Sequence, residues 1–151
     1  MATTSYPSDR LQSDRQPVSG VVTALRGLHL LLVLLFAGAV ILQVFFAGAT
    51  LLADPRYLID HRSLGTAMGP LPALIVIVSL IGRLPRRIVM FSILIFVLYA
   101  MQYVIVYMLP SLGLPAAFRA LHAVNALLMF WTALHLAKLI WRALLPKSRG
   151  E

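Results

Sequence analysis

Cysteine is absent from the 151-residue sequence, and charged residues make up only 12% of it. Without cysteine the chain cannot form a disulfide bond, hold an iron–sulfur cluster through thiolates or use a thiolate in catalysis. The charged fraction is about half of the roughly 25% that is typical of soluble domains, whereas 60% of the residues are hydrophobic. Because so little polar surface is available to cover a soluble globule, the composition predicts an integral membrane protein.

The sequence also lacks the motifs of several functional classes. It has no glycine-rich loop of the kind that cradles phosphate and no serine–histidine–acid set, so nothing supports a hydrolase, kinase or nucleotide-binding protein. The formal net charge of +8 would suggest nucleic acid in a soluble protein. Here the basic residues flank apolar runs instead. We therefore expect the lipid bilayer, and no nucleic acid, as a partner, and an enzyme is the less favoured class.

Four apolar segments are long enough to cross a membrane, since about 20 helical residues span about 30 Å of hydrocarbon. In the second segment we expect a kink at Gly69, Pro70 and Pro72, because proline removes a backbone donor. The predicted fold class is all-α, an integral membrane four-helix transmembrane bundle. Its predicted spans are residues 27–52, 61–81, 88–109 and 116–144.

The predicted transmembrane domain occupies residues 21–145. It lies between a disordered, polar tail at residues 1–20 and a short tail at residues 146–151. A cleaved signal peptide is an alternative for the first span, because Ala47–Thr50 (AGAT) resembles a cleavage site. The apolar run is longer than the 7–15 residues or so of a signal sequence, so we interpret it as an uncleaved helix.

Lysine and arginine are distributed unevenly along the chain. Ten of the 13 lie in the N-terminal region, in the turn between the second and third spans, or in the C-terminal region. The opposite side of the predicted bundle has Arg56, Arg62 and Arg119. Because positive charge favours the cytoplasmic side, we expect both termini in the cytoplasm (N-in/C-in), in a bacterial inner membrane.

Polar residues at membrane depth are costly and usually face the interior of a bundle. On the fourth span, His122 and Asn125 are three residues apart and therefore share a helix face. One interpretation of the amides is that they join helices by hydrogen bonds. The outer half of the predicted bundle combines polar residues from all four spans, namely Gln43, His61, Arg62, Gln102, His122 and Asn125.

The histidine pair in this set suggests a metal-binding function. Two neutral imidazoles can clamp one haem iron if their ligating nitrogens come to about 4 Å apart, twice a metal–nitrogen bond of about 2 Å. We predict His61 and His122 as the axial ligands of haem b. Gly65 and Gly69 would give the porphyrin a flat face, and Arg62 would pair with a propionate. The alternative is that the G-x-x-x-G motif packs two helices and that His61 is an ordinary interfacial residue.

Two further interpretations involve other residues. The same two histidines together with Asp60 or Asp54 would supply the three protein ligands that catalytic zinc usually has. His29 and His135 are each three residues from a basic residue at the opposite boundary. We interpret them as boundary residues that snorkel toward the surface, rather than as a second haem pair.

Three stretches carry a resemblance to known proteins: "HRSLG", "MQYV" and "ALHAVNALLMF". Over about Arg26 to Arg142 the chain resembles a family of small, largely uncharacterised four-span bacterial membrane proteins. It is also similar to one four-helix half of a haem A synthase, in which a histidine–arginine pair opens one helix and a second histidine opens the fourth. The resemblance implies His61 and His122 as haem ligands and Arg62 as the neighbouring arginine.

The chain departs from the haem A synthase pattern in three ways. It has no second four-helix half and no cysteine pair, and Leu58 stands where the synthase has an acidic residue. The predicted function is therefore electron transfer by haem b, in contact with a larger membrane redox complex or as a homo-oligomer. The alternative is a cofactor-free structural or accessory subunit of a larger membrane complex.

Overall fold

The computed structural model describes residues 20–145, and the regular structure of this part is entirely helical. Residues 1–19 of the predicted N-terminal tail and the predicted tail at residues 146–151 lie outside the described residues, whereas Gly20, the last residue of the predicted N-terminal tail, begins the first helix. Four helical spans are long and apolar enough to cross a membrane, which confirms the predicted fold class. They are Gly20–Leu52, Tyr57–Ile81, Arg86–Ser111 and Ala116–Leu144.

Several shorter elements make up these spans. The first span is the single helix α1, Gly20–Leu52, and the second comprises α2, Tyr57–Ala67, and α3, Pro70–Ile81. The third comprises α4, Arg86–Tyr103, a π-helical segment, Val104–Met108, and α5, Leu109–Ser111. The fourth begins with a 3₁₀ turn, Ala116–Ala120, and continues as α6, Leu121–Leu144.

The spans pack as a ring of four antiparallel neighbours. The first span contacts the second and fourth, and the third also contacts the second and fourth. The second and fourth spans are therefore diagonal to each other across the bundle. One end, the histidine end, contains the loops at residues 53–56 and 112–115. The other, the basic end, contains Gly20, the turn at residues 82–85 and the end of α6.

Apolar side chains fill the centre of the bundle and also cover its outside. Phe36, Ile75, Ile95 and Leu136 are completely buried, and the Phe36 ring meets Tyr99 edge to face at 6.5 Å. Many leucines and isoleucines are exposed on the outer faces, as expected for surfaces that contact lipid. Because lipid tails are as apolar as this core, the hydrophobic effect alone does not orient the helices. Small and polar residues must therefore help to set the orientation of each helix.

The kink predicted in the second span is confirmed, and it is a complete break between two helices. α2 ends before Met68, and α3 starts at Pro70. Pro70 and Pro72 lie in the first turn of α3, where their missing N–H groups leave no helical hydrogen bond unmade. The Gly69 amide donates to the Thr66 carbonyl at 3.1 Å and closes the end of α2.

The third span contains a feature that the sequence analysis did not predict. Residues Val104–Met108 form a π-helical segment shortly before Pro110. A proline cannot donate a hydrogen bond, and its ring clashes with the carbonyl four residues earlier, here that of Val106. Widening the helix by a π turn accommodates that conflict.

Candidate functional site

The two outer histidines meet at the histidine end of the bundle. His61 lies in the second turn of α2, and His122 is the second residue of α6. Their ring centroids are 6.0 Å apart, and the ring planes are inclined at 66°. Both side chains are half-buried. The diagonal arrangement of the second and fourth spans therefore brings together two residues that are 61 positions apart in the chain.

Gln43 of α1 fixes the orientation of His61. The His61 Nδ1 atom is 3.0 Å from the main-chain carbonyl oxygen of Gln43. A carbonyl can only accept, so Nδ1 carries the proton, and the neutral ring has its lone pair at Nε2. The Gln43 side chain donates in return to the His61 carbonyl at 2.9 Å. This reciprocal pair holds α2 against α1 and sets the histidine tautomer.

Gln102 of α4 occupies the corresponding position beside His122. One end of its side-chain amide lies 2.8 Å from His122 Nδ1. If the amide nitrogen faces the ring, it donates to Nδ1, and the ring proton must be on Nε2. If the oxygen faces the ring, Nδ1–H donates to it, Nε2 keeps its lone pair, and the amide nitrogen faces the Met129 sulfur at 3.3 Å. The amide orientation and the histidine tautomer are thus linked.

Asn125 joins two helices beside this pair. It is buried on α6, one turn after His122, and its Nδ2 donates to the Leu98 carbonyl of α4 at 2.8 Å. An accepting carbonyl inside the neighbouring helix explains how this amide is tolerated in an apolar interior. Asn125 therefore acts as the interhelical connection that one sequence interpretation proposed.

Gly65 and Gly69 face protein side chains. A β-carbon on Gly65 would lie 3.0 Å from Gln43 Nε2, and one on Gly69 would lie 3.2 Å from the Tyr99 hydroxyl. The Tyr99 hydroxyl donates to the Gly65 carbonyl at 2.7 Å. Sequence analysis did not select Tyr99 as a site residue, although its spacing of three from Gln102 places both on one helix face. In this structure the two glycines serve close helix packing.

Charged residues surround the histidine end on the outside. Arg62 is exposed beside His61. Asp54 and Arg56 form an exposed ion pair at 2.7 Å, and hydrogen bonds from Arg56 lower the pKa of the Asp54 carboxyl. Within residues 20–145 no three histidine or acidic side chains come together as metal ligands. The three ligands that the zinc interpretation requires are therefore not brought together in this part of the chain.

The inner histidines do not behave as the sequence analysis predicted. His29 is completely buried, and its Nε2 lies 3.0 Å from the hydroxyl oxygen of Ser92 on the diagonal span. The prediction that it snorkels to the surface is wrong, because a polar partner is available in the bundle interior. The His135 ring packs between Phe91, at 4.7 Å, and Trp131, at 5.6 Å.

Residues 43–109 match a protein family of unknown function, DUF6220. The match contains Gln43, His61 and Gln102, whereas His122 and Asn125 lie beyond it. No curated protein and no solved structure matches the chain. The similarity to an uncharacterised family therefore has support over less than half of the chain, and the resemblance to haem A synthase has none from these comparisons.

Proposed function

We propose that His61 and His122 hold a haem b by both axial positions and that the protein passes single electrons at this end of the membrane. The observation that carries the proposal is the separation of 6.0 Å between the two rings. Two imidazoles on one iron have centroids roughly 6.2 Å apart, from metal–nitrogen bonds of about 2 Å and ring radii of about 1.1 Å. The distance found differs from this value by a few tenths of an ångström.

The hydrogen bond of the His61 ring also supports the proposal. A histidine that binds a metal usually donates its other N–H to a carbonyl, a carboxylate or water, which fixes its tautomer and direction. The Gln43 carbonyl does this for His61, since it accepts from Nδ1 at 3.0 Å. For His122 the Gln102 amide oxygen would take the same role only after the amide turns over. The orientation that its neighbours favour points the amide nitrogen at Nδ1, at 2.8 Å, and at the His122 carbonyl, at 3.2 Å, which leaves the ring proton on Nε2. Gln43 and Gln102 would thus act as positioning residues for the two ligands.

Space for the porphyrin must come from a movement of α2, because Gln43 and Tyr99 fill the face of Gly65 and Gly69. α2 packs mainly on α1, and the break at Met68 and Gly69 separates it from α3. Short segments of this kind can absorb the backbone change of a hinge. We expect binding to displace the Tyr99 hydroxyl from the Gly65 carbonyl.

Bis-histidine haem b would supply a carrier of single electrons with no axial position left for oxygen. The chain's own residues would hold and orient the imidazoles, keep them half-buried near one membrane surface, and place the Arg62 cation beside His61 to meet a propionate. A site at the end of the bundle, rather than at its middle, would suit exchange of electrons with a larger membrane redox complex.

Visible spectroscopy of the purified protein tests the proposal. The wild type, His61→Ala and His122→Ala would be expressed with ample haem and purified in mild detergent. We expect a sharp α band typical of haem b in the reduced-minus-oxidised spectrum of the wild type and its loss in both variants. His135→Ala is the matched control and should retain the band, because that ring packs on Phe91 and Trp131.

Two results would contradict the proposal: a featureless wild-type spectrum, or a band that both histidine variants retain. A featureless spectrum would favour the cofactor-free accessory subunit. One observation favours that second candidate, because protein atoms already fill the glycine face. In that case His61→Ala would alter assembly or stability through the lost Gln43 contact, with no spectral change.

A further inference from the structure

We infer that the basic end of the bundle binds the headgroup of an anionic phospholipid, in a site centred on Arg26. The two ends of the bundle differ in net charge, although the histidine end also contains Arg56, Arg62 and Arg119. Within residues 20–145 both acidic side chains, Asp54 and Asp60, belong to the histidine end. Basic residues gather at the opposite end of the same part of the chain, namely Arg26, Arg83, Arg86, Arg87, Lys138 and Arg142. An anion is therefore the partner that charge complementarity selects there.

Arg26 has a buried donor that the described residues leave unused. Its Nη1 donates to the Ala143 carbonyl near the end of α6 at 3.2 Å. Its Nε is buried and has no hydrogen-bond partner within residues 20–145. A buried, unsatisfied donor is costly, especially on a charged group. The half-exposed side chain would have to turn so that Nε, which is covered in this structure, meets a phosphate oxygen. Guanidinium groups bind phosphate through paired hydrogen bonds.

The turn between the second and third spans lies against this part of α1. The Leu25 β-carbon is 3.4 Å from the position that a β-carbon on Gly82 would take. The next residue, Arg83, has a φ of 46°, in the left-handed region. This position after a helix usually favours glycine, because a β-carbon is strained there. A strained arginine on the basic end suggests that its side chain has a use.

The start of α4 brings two more cations to the same end. Arg86 and Arg87 form its first turn, which contains no acidic residue and no side-chain cap. Positive charges at the start of a helix oppose the helix dipole, and a bound anion would offset that repulsion. The exposed Val21 and Leu28 of α1 offer apolar surface for acyl chains nearby. These residues favour a lipid over a free phosphate ion.

Thermal unfolding in detergent with added phosphatidylglycerol tests this inference, and phosphatidylcholine and glycerol phosphate serve as comparison ligands. We expect phosphatidylglycerol to raise the Tm of the wild type, and the comparison ligands to leave it unchanged. Arg26→Gln should bind phosphatidylglycerol about tenfold more weakly, the loss expected for a charge-assisted contact. Arg56→Gln, at the histidine end, is the matched control and should respond as the wild type does.

Three outcomes would overturn the inference. These are equal shifts with phosphatidylglycerol and phosphatidylcholine, an unchanged response of Arg26→Gln, or the same stabilisation by glycerol phosphate, which would indicate a site for soluble anions. If Arg26→Gln does not fold, Arg83→Gln takes its place. The Arg83 side chain makes no hydrogen bond to the rest of the described chain. A wild-type lipid response in Arg83→Gln would therefore also refute the site. None of these measurements depends on the histidine pair.

Discussion

Replacing Ser92 by alanine removes one oxygen atom from the bundle interior and tests how the buried His29 is held. The Ser92 hydroxyl donates its proton to the Ile88 carbonyl at 2.9 Å. In that arrangement the same oxygen accepts from His29 Nε2–H, at 3.0 Å, and the His29 lone pair is on Nδ1. Nδ1 is buried without a well-formed hydrogen bond in the described chain, although the Ile75 backbone lies close to the ring. Ser92 therefore makes the one well-formed hydrogen bond of this ring there.

The stability that Ser92→Ala is expected to lose follows from these contacts. Interhelical hydrogen bonds inside membranes average about 0.6 kcal/mol and reach about 1.7 kcal/mol, because the unfolded chain in lipid also finds partners. A buried donor left without an acceptor adds to that loss, by about 1–3 kcal/mol in soluble proteins. Since His29 would lose its well-formed hydrogen bond in the described chain, we expect Ser92→Ala to lower the free energy of unfolding by about 1–2 kcal/mol.

Equilibrium unfolding in mixed micelles, followed by helical circular dichroism at increasing dodecyl sulfate fraction, measures this loss. Ser79→Ala is the matched control. Ser79 is also completely buried, but its hydroxyl donates to the Val76 carbonyl of its own helix, at 2.7 Å, and makes no hydrogen bond to another span. We expect this control to lose less than about 0.5 kcal/mol, within the range of ordinary small effects.

The two serine variants and a double-mutant cycle can refute the reasoning. If Ser92→Ala costs no more than Ser79→Ala, the contact with His29 does not stabilise the bundle. In a His29→Leu background the Ser92 substitution should cost little, because its partner is already absent. An undiminished cost in that background would show that Ser92 acts through its own helix. Nitrogen chemical shifts of His29 provide an independent check, with the proton expected on Nε2.

Two other predictions concern the histidine end. Gly65→Ala should lower the free energy of unfolding by about 1–3 kcal/mol, because its β-carbon would crowd Gln43 Nε2 at 3.0 Å. The control Gly38→Ala, with open space around the β-carbon, should be neutral or stabilising by up to about 1 kcal/mol. Equal effects of the two substitutions would contradict the close packing at Gly65. The Asp54 carboxyl should titrate below the ordinary value of 3.8 because Arg56 stabilises its charged form; the stabilisation is therefore present above the ordinary pKa and is lost as the pH falls through the lowered one. Carbon NMR should show the Asp54 titration midpoint rising in Arg56→Gln, and an unchanged midpoint would show that the ion pair has no effect in solution.

Composition and proline positions were enough to predict much of the architecture. The length of the apolar runs predicts four helical spans, because the thickness of a bilayer sets how many helical residues are needed. Pro70 and Pro72 predict an interruption, because proline cannot donate a backbone hydrogen bond. The structure confirms both. The second span was predicted to start at residue 61, whereas the helix begins at Tyr57. The charged Asp60 lies in the first turn of the helix, so the apolar run seen in the sequence starts later than the helix does.

The positions of the polar side chains could be predicted less well. Placing His61 and His122 at the same end required the alternation of the spans, and this can be read from the sequence. The role of Gly65 and Gly69 could not be predicted from the sequence, because it depends on which side chains of other helices lie opposite them. His29 was assigned to the boundary from its distance to Arg26 along the chain, but the rotation of α1 turns it toward Ser92.

The sequence by itself therefore determined that this protein is a bundle of four apolar helices, with His61 and His122 at one end and most of its positive charge at the other. These properties depend on local composition and on the fixed rise of a helix. The tertiary structure alone decided that the second and fourth spans are diagonal, that the two histidine rings are 6.0 Å apart and that Gln43 and Tyr99 cover the glycines. The physical reason is that lipid and core are equally apolar, so each helix takes its rotation from specific packing and hydrogen bonds between spans.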